Sequence, residues 1–290
     1  MADKIGGDVL GPWILDFVRG FVESSPDNSL KDGSGEPSFD APLVGFAAGG
    51  DPIFQEFRRH IGPFYWLPAQ ALALAHTGLA QGPVSVVSWV LPQTRATKDQ
   101  NAQEKVYCSE RWARSRLHGE QFNVLLRRSL AQALTDRGVP AAAPMLLPQW
   151  RMETSADYGY ASTWSERHTA HAAGLGTFGL CDGLITPLGK AMRTGSVVLA
   201  GDLPATPRPY VDHHAYCLFY SHGTCGKCIP RCPMNALSEK GHDKIKCGRH
   251  VRGGGKEHNI ERFGLDIEGC GLCQVGVPCE SHIPAPEEGL

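Results

Sequence analysis

The chain has no strong charge of either sign: 28 lysines and arginines stand against 30 aspartates and glutamates, a formal net charge of −2 over 290 residues. Bulk electrostatics therefore draw it neither to nucleic acid nor to an anionic membrane, and a partner chosen by charge must read a local patch. Long apolar runs are missing too. The aromatic stretch from Trp13 to Val22 is broken by Asp16 and Arg19 and falls short of the ~18 residues a transmembrane helix needs. Met1-Ala-Asp-Lys-Ile-Gly-Gly has neither the basic start and apolar core of an export signal nor a twin arginine. No internal repeat or low-complexity tract stands out. These absences lead to the expectation of a cytoplasmic protein with no membrane partner. Its 42% hydrophobic residues fill one large domain or two modest ones.

What the chain does have is cysteine, gathered in one place. Eight of its ten cysteines lie between Cys217 and Cys279. The dense part, Cys225-Gly-Lys-Cys228-Ile-Pro-Arg-Cys232-Pro233, spells C-x2-C-x3-C-P. Cys217 precedes it; Cys247, Cys270-Gly-Leu-Cys273 and Cys279 follow. Bacterial ferredoxins hold their clusters with C-x2-C-x2-C-x3-C-P, the last thiolate crossing to the other cluster. Short gaps let one tight loop wrap three corners of an iron–sulfur cube, and the x3 gap with its proline turns the next cysteine away.

Eight thiolates match two 4Fe–4S clusters: Cys217, Cys225, Cys228 and Cys279 on one, Cys232, Cys247, Cys270 and Cys273 on the other. The pattern departs from the ferredoxin one at His222, which stands three before Cys225, and in the five residues between Cys273 and Cys279. Cys217 supplies the missing ligand if the loop between is slack; His222, with a raised potential, is the alternative. Structural zinc would suit the C-x2-C pairs but leaves the C-x3-C-P tail without a role. Disulfides need an oxidising compartment. Cys108 and Cys181 fit no cluster pattern and are expected as buried thiols, Cys181 close enough to a glycine turn to line a site.

Upstream, the apolar spacing from Trp13 to Val22 predicts a helix over 12–23 with Pro12 in its first turn. Residues 68–80 predict an Ala/Leu-rich helix and Val84 to Leu91 a buried strand ended by Pro92. Residues 93–106 are polar and suggest no element. Glu120 to Asp136 predicts a long helix capped by Gly138, and Met145 to Trp150 another strand. Helices alternating with short strands indicate an α/β or α+β sandwich.

Between residues 156 and 203 the signal sharpens. Ser165 can cap a helix carrying Arg167, His168 and His171 that Gly174 ends. Gly174-Leu-Gly176-Thr-Phe-Gly179 then spells G-x-G-x-x-G. A dinucleotide fingerprint follows a strand and opens a helix; here the order is reversed, and a Rossmann site is rejected. The run S-E-R-H-x-A-x-x-A-G-L-G-x-x-G, then G-L-I-T-P-x-G-K-A-x-R-x-G-S-V-V, then two ferredoxin-like motifs resembles the cobalamin-dependent epoxyqueuosine reductases and reductive dehalogenases. The resemblance covers roughly residues 145 to 280.

That resemblance implies an α+β fold: a nitroreductase-like, corrinoid-binding domain over residues 1–210, then a bacterial-ferredoxin-like domain over 211–290. It implies two 4Fe–4S clusters that pass electrons to a base-off cobalamin, where a small electrophilic substrate is reduced. A low-potential donor, ferredoxin or flavodoxin, loads the clusters. The histidine-on cobalamin signature D-x-H-x-x-G is absent, because Cys217 stands where its glycine should be.

Tyr160 stands near the proton donor of the dehalogenases, with Arg167, Lys190 and Arg193 as cations to stabilise its phenolate; a tyrosine stays protonated at pH 7. Its alternative role is packing with Tyr158 and Trp164. Epoxyqueuosine reductases carry an aspartate at that position, which makes epoxyqueuosine itself a doubtful substrate. Gly174, Leu175, Gly176, Thr177, Gly179, Ile185 and Thr186 are the expected cofactor-binding residues, since glycine lets backbone approach a flat ligand or adopt positive φ. FMN would be served as well as a corrinoid. His168 and His171 are expected as partly buried hydrogen-bonding residues.

The alternatives are an electron-transfer protein or corrinoid reductase without substrate chemistry of its own, a flavin-dependent reductase on the same fold, and a redox sensor, which lacks a recognisable DNA-binding helix. The length leaves no room for the helical-repeat domain with which many epoxyqueuosine reductases engage tRNA, and with the low basic charge this makes nucleic acid an unlikely partner.

Overall fold

The computed structural model describes residues 7–79 and 81–289; residues 1–6 of the stretch inspected for an export signal lie outside them. In chain order the elements begin with α1 (Gly7–Ser24), β1 (Leu43–Ala48), α2 (Ile53–Ile61), α3 (Pro68–Ala75), β2 (Val84–Pro92), α4 (Arg95–Gln103) and α5 (Glu110–Arg114). A π-helical turn at Ser115–Gly119 joins α5 to α6 (Glu120–Asp136), before β3 (Ala141–Ala142), the hairpin β4 (Met152–Ser155) and β5 (Gly159–Ser162), and α7 (Glu166–Ala172). Then come β6 (Thr177–Phe178), β7 (Leu184–Ile185) and β8 (Met192–Ala200). The cysteine-rich part adds α8 (Leu218–His222), β9 (Leu237–Ser238), β10 (Gly241–His242), α9 (Lys244–Arg252) and α10 (Gly254–Phe263).

The apolar run in β2 lies at the centre. The main sheet has the order β1-β2-β8-β3, and every pairing is antiparallel. Successive strand residues point to opposite faces. Val87, Trp89 and Leu91, with Val197 and Leu199, meet Ile14 and Val18 of α1 and Leu126 and Leu130 of α6. Val86, Val90 and Val198 meet Phe54, Leu72 and Ala170 from α2, α3 and α7. Helices on both faces explain why β2 is buried from Ser85 to Pro92 instead of alternating. The fold class is α+β. Gly195 of β8 makes room for the central indole: a Cβ there would lie 2.5 Å from Trp89.

Several elements differ from the sequence expectation, and the helix expected over 68–80 ends at Ala75. Helix α1 starts earlier, with Pro12 inside it, because Leu10, 4% exposed, extends the buried stripe one turn upstream. The polar segment 93–106 contains α4, whose buried residues are Thr97, Lys98 and Asn101; apolar periodicity has nothing to detect there. Met145 to Trp150 forms no strand. Pro144 opens a 3-10 turn at Pro144–Leu146, and proline supplies no ladder donor there or at Pro148. Among the described residues no helix is long and apolar enough to cross a membrane.

Candidate metal centre

Cys217 sits at the N-cap position of α8, a helix closed by Gly223 in the left-handed region at φ 67°. Backbone bonds from Ile229 to Gly226 and from Cys232 to Ile229 then fold the next residues into tight turns. The outcome is one pocket lined by Cys217, Cys225, Cys228 and Cys279, with Lys190 and Ile185 from the upstream part. His222 does not line it; its ring is exposed and lies 2.8 Å from the Ser221 hydroxyl.

Of the other four cysteines, Cys232 and Cys273 pack against the same apolar cluster as the first set. Cys232 accepts from the Ala236 N–H at 3.2 Å. Cys247 lies in α9, which Asp243 caps by accepting from the N–H groups of Ile245 and Lys246. Gly271, between Cys270 and Cys273, has φ 71°, and a Cβ there would come within 2.1 Å of the Trp112 ring. Only glycine lets this turn lie on Trp112. Burial raises the Cys270 thiol to about 11, and Cys247 and Cys232 are near enough to push it the same way. Asn101 of α4 donates to the Cys270 carbonyl at 3.2 Å, and Arg231 donates to the carbonyls of Leu272 and Asn101. The polar face of α4 is thus a docking face for this loop.

Among the described residues no three His, Cys, Asp or Glu side chains converge as tightly as one metal ion requires. A mononuclear zinc draws its sulfurs to about 2.3 Å. The all-cysteine donor set around the pocket is the one a 4Fe–4S cluster uses, and the four cysteines present fit one such cluster.

Spacing alone did not place Cys181 among these groups. It is 5% exposed and packs in one cluster with Cys217, Cys228, Cys273 and Cys279. Hydrogen bonds from the Cys228 and Cys273 thiols, with the charge of Lys190, draw its thiol well below the usual range. The Lys190 ammonium donates to its sulfur at 3.4 Å. The one signal in the sequence was its position just after Gly179. Cys108 lies on the other flank, buried, donating to Asn259 Oδ1 at 3.4 Å.

The expected catalytic group is dispersed. Tyr160, on β5, is 39% exposed, and the cation over its ring is Arg252 of α9, at 4.3 Å. Arg167 donates to the Asp182 carbonyl, Lys190 faces the cysteines, and Arg193 pairs with Glu120. Trp164 leaves Tyr160 for the core, stacking on Tyr65 at 6.2 Å. Behind Arg193 runs a buried network in which Arg127 bonds Glu120 at 2.9 Å and Glu166 at 3.1 Å. Burial opposes the charge on Glu120, yet Arg193 and Arg127 outweigh it and hold the carboxyl at about 2. Burial wins at Glu166, which rises to about 7 despite Arg127.

His168, half-buried, and His171, buried, are hydrogen-bonding residues. Burial pushes them down to about 3 and about 4; His168 bonds Ser165 at 2.8 Å and His171 the Gly176 carbonyl at 2.7 Å.

The seven expected cofactor residues form no open cradle for a corrinoid or flavin. Leu175, Thr177, Ile185 and Thr186 are at most 2% exposed. The Thr177 hydroxyl accepts from the Tyr216 N–H and that of Thr186 donates to the Gly189 carbonyl. A Cβ at Gly176 would meet the Ile185 carbonyl at 2.2 Å, and one at Gly174, φ 77°, the Pro207 carbonyl at 2.6 Å. These glycines permit chain-to-chain packing. Gly179 and Ile185 do face a pocket, the cysteine-lined one. The other five pack against the chain itself.

No protein-family model matches the chain. Over 181 residues it is 26% identical to the epoxyqueuosine reductase of Bacillus anthracis, a homology covering 60% of this chain and 40% of that one. The chain thus spans less than half the length of this curated relative. Among solved structures it is similar to an epoxyqueuosine reductase with an epoxyqueuosine-modified tRNA stem loop, at 17% identity over 97% of this chain and 70% of the other, with a TM-score of 0.48. It is also similar to a catabolic reductive dehalogenase in complex with 3-bromo-4-hydroxybenzoic acid, at 16% identity over 97% and 38%, with a TM-score of 0.47.

Proposed function

We propose that the chain is an iron–sulfur oxidoreductase, a reductase of the epoxyqueuosine reductase and reductive dehalogenase type. Residues 211–290 hold two 4Fe–4S clusters, and residues 1–210 form the body on which they dock. The carrying observation is the convergence of Cys217, Cys225, Cys228 and Cys279, from separate segments, on one pocket. When bound, such clusters supply single electrons at potentials set by charge, hydrogen bonds to sulfur and solvent exposure. The chain's own residues set those three quantities. Ile185, Leu180 and Val277 keep water from the first site, Lys190 brings positive charge, and Asn101 and Arg231 fix the loop of the second.

The electron donor is a low-potential carrier such as a ferredoxin or flavodoxin, and the acceptor a small electrophile. A tRNA is the competing acceptor, since the relative's structure contains a modified tRNA stem loop. Reduced thiols and clusters favour a cytoplasmic setting. A second reading, an electron-transfer protein without substrate chemistry of its own, is favoured by the burial of the seven residues expected to cradle an organic cofactor.

The test is anaerobic purification from cells supplied with cobalamin and iron, followed by absorption spectroscopy and metal analysis. About eight irons per chain supports the reading, and about four or fewer overturns the assignment of two four-iron clusters. Cobalt at parity supports a corrinoid reductase. Iron without cobalt leaves the flavin enzyme, if yellow cofactor is released on denaturation, or the carrier if none is. Binding assays with a tRNA stem loop and with halogenated phenols then separate the two classes of acceptor.

A further inference from the structure

Lys190 is a buried cation whose charged neighbours are all thiols. It is 2% exposed, and its ammonium donates to Cys181 Sγ at 3.4 Å. Among the described residues it makes no ion pair with a carboxylate, and the groups acting on its charge are Cys181, Cys279, Cys228 and Cys273. Isolating an ammonium from water without a counter-ion is strongly unfavourable, and buried charges are accordingly paired. The Cys181 sulfur, 3.4 Å away, is one partner for this charge. A thiolate-ligated cluster in the adjoining pocket, whose walls include Lys190 itself, is a second and more strongly anionic one.

The backbone holds this lysine in place from the cluster side. Its N–H donates to the Cys279 carbonyl at 2.9 Å and the Glu280 carbonyl at 3.2 Å. The preceding Gly189 has φ 78°, and a Cβ there would lie 2.1 Å from the Glu280 carbonyl. The turn from Thr186 to Gly189 is tied by the Thr186 hydroxyl, 2.8 Å from the Gly189 carbonyl. The segment that brings Cys279 to the pocket therefore also positions the ammonium.

Resting on the iron–sulfur reading above, we propose that Lys190 is the counter-charge of the cluster held by Cys217, Cys225, Cys228 and Cys279 and raises its reduction potential. Reduction adds an electron to an already anionic group, and a fixed positive charge in a dry site stabilises the added charge. Net charge and hydrogen bonds to sulfur are established determinants of cluster potential. Lys190 is in this role a positioning and tuning residue. Cys181 lies between its ammonium and the thiols of Cys228 and Cys273, one from each set of four.

The test is an anaerobic redox titration of the full chain, followed by electron paramagnetic resonance, for the wild type, Lys190→Met and Lys190→Arg, with iron counted in each. In Lys190→Met one of two cluster signals should titrate at a potential lower by about 59 mV or more, a tenfold change in a one-electron equilibrium. The other signal should stay in place, and Lys190→Arg should recover most of the shift. Loss of half the iron in Lys190→Met alone, with Lys190→Arg intact, also supports a counter-charge. Unchanged potentials in Lys190→Met, or equal effects of both substitutions, overturn it. A wild type without iron–sulfur signals brings down the iron–sulfur reading itself, a result distinct from full iron with an unmoved potential.

Discussion

The region around the main sheet and the cysteine-rich region after residue 210 are ordered by different means. The twelve largest fully buried side chains, from Trp89 and Trp164 to Leu126, all lie at or before residue 164. In the later region the buried apolar residues are small or aliphatic, among them Leu218, Leu237, Leu265, Leu272 and Val277. Its strands are two residues long, and α9 buries no residue. Apolar burial contributes roughly 25 cal/mol per Å², so one region carries a large hydrophobic core and the other only small clusters that it shares with upstream residues. Small regions without such a core are usually held by disulfides or metals, and here all ten cysteines are free thiols. The clusters proposed above are then as much a structural element as a redox one.

The largest expected effect tests this contrast directly. Cys228→Ser should lose the irons of one cluster, about four. Amide-exchange protection should fall across 211–289 while the amides of β2 and β8 stay protected. Protection lost evenly from both regions would mean that they unfold as one unit and that the contrast is wrong. The reverse experiment is Leu126→Ala, which empties a position at 0% exposure between α6 and the sheet. It should cost ~2–5 kcal/mol in denaturant unfolding of the sheet region, with iron content unchanged in the folded protein.

The same contrast decides what the sequence could reveal. The buried run of β2 and the helix at Glu120–Asp136 follow apolar periodicity, and the structure has both elements where that periodicity puts them. Helix α4 escaped because its buried face is Thr97, Lys98 and Asn101, chosen to bond a loop some 170 residues later. The grouping of Cys217, Cys225, Cys228 and Cys279 was legible from motif spacing, and the pocket has those four cysteines on its walls. Lys190 beside Cys181 was not, because their meeting depends on how the Thr186–Gly189 turn seats against Glu280. Tyr160 was singled out by its distance along the chain from a family motif, which says nothing about Arg252, a residue of the other region.

A smaller effect lies at the seam of the two regions, where His171 stacks on Tyr210 at 5.0 Å. Burial lowers His171 to about 4, so between that value and the ordinary 6.5 the unfolded chain binds a proton that the folded one refuses. Its contribution is intact above pH 6.5 and is lost as pH falls toward 4, ~3 kcal/mol in all. Glu166, raised by burial, acts in the opposite sense, because its folded form binds the proton more readily. His171→Asn should therefore flatten the fall in unfolding free energy between pH 6.5 and 4. A slope as steep as the wild type's would assign the acid sensitivity to other groups.

The smallest effect concerns the hairpin β4–β5 against α9, where the exposed Tyr160 meets a cation of the other region. Arg252 lies 4.3 Å from the Tyr160 ring centroid, and a Cβ at Gly248 would come within 3.1 Å of that ring, so the ring is clamped while its edge stays in water. An exposed cation–π pair contributes ~0.5–1 kcal/mol. Tyr160→Leu and Arg252→Met should each cost about that much, and the double variant little more than either alone, since both remove one interaction. Tyr160→Phe keeps the ring and deletes only the hydroxyl. If the residue does no more than join the two regions, Tyr160→Phe should match the wild type in stability and in turnover of any substrate found. A fall in kcat with stability unchanged would instead make the phenol a proton donor, with Arg252 the cation beside its phenolate in place of Arg167, Lys190 or Arg193.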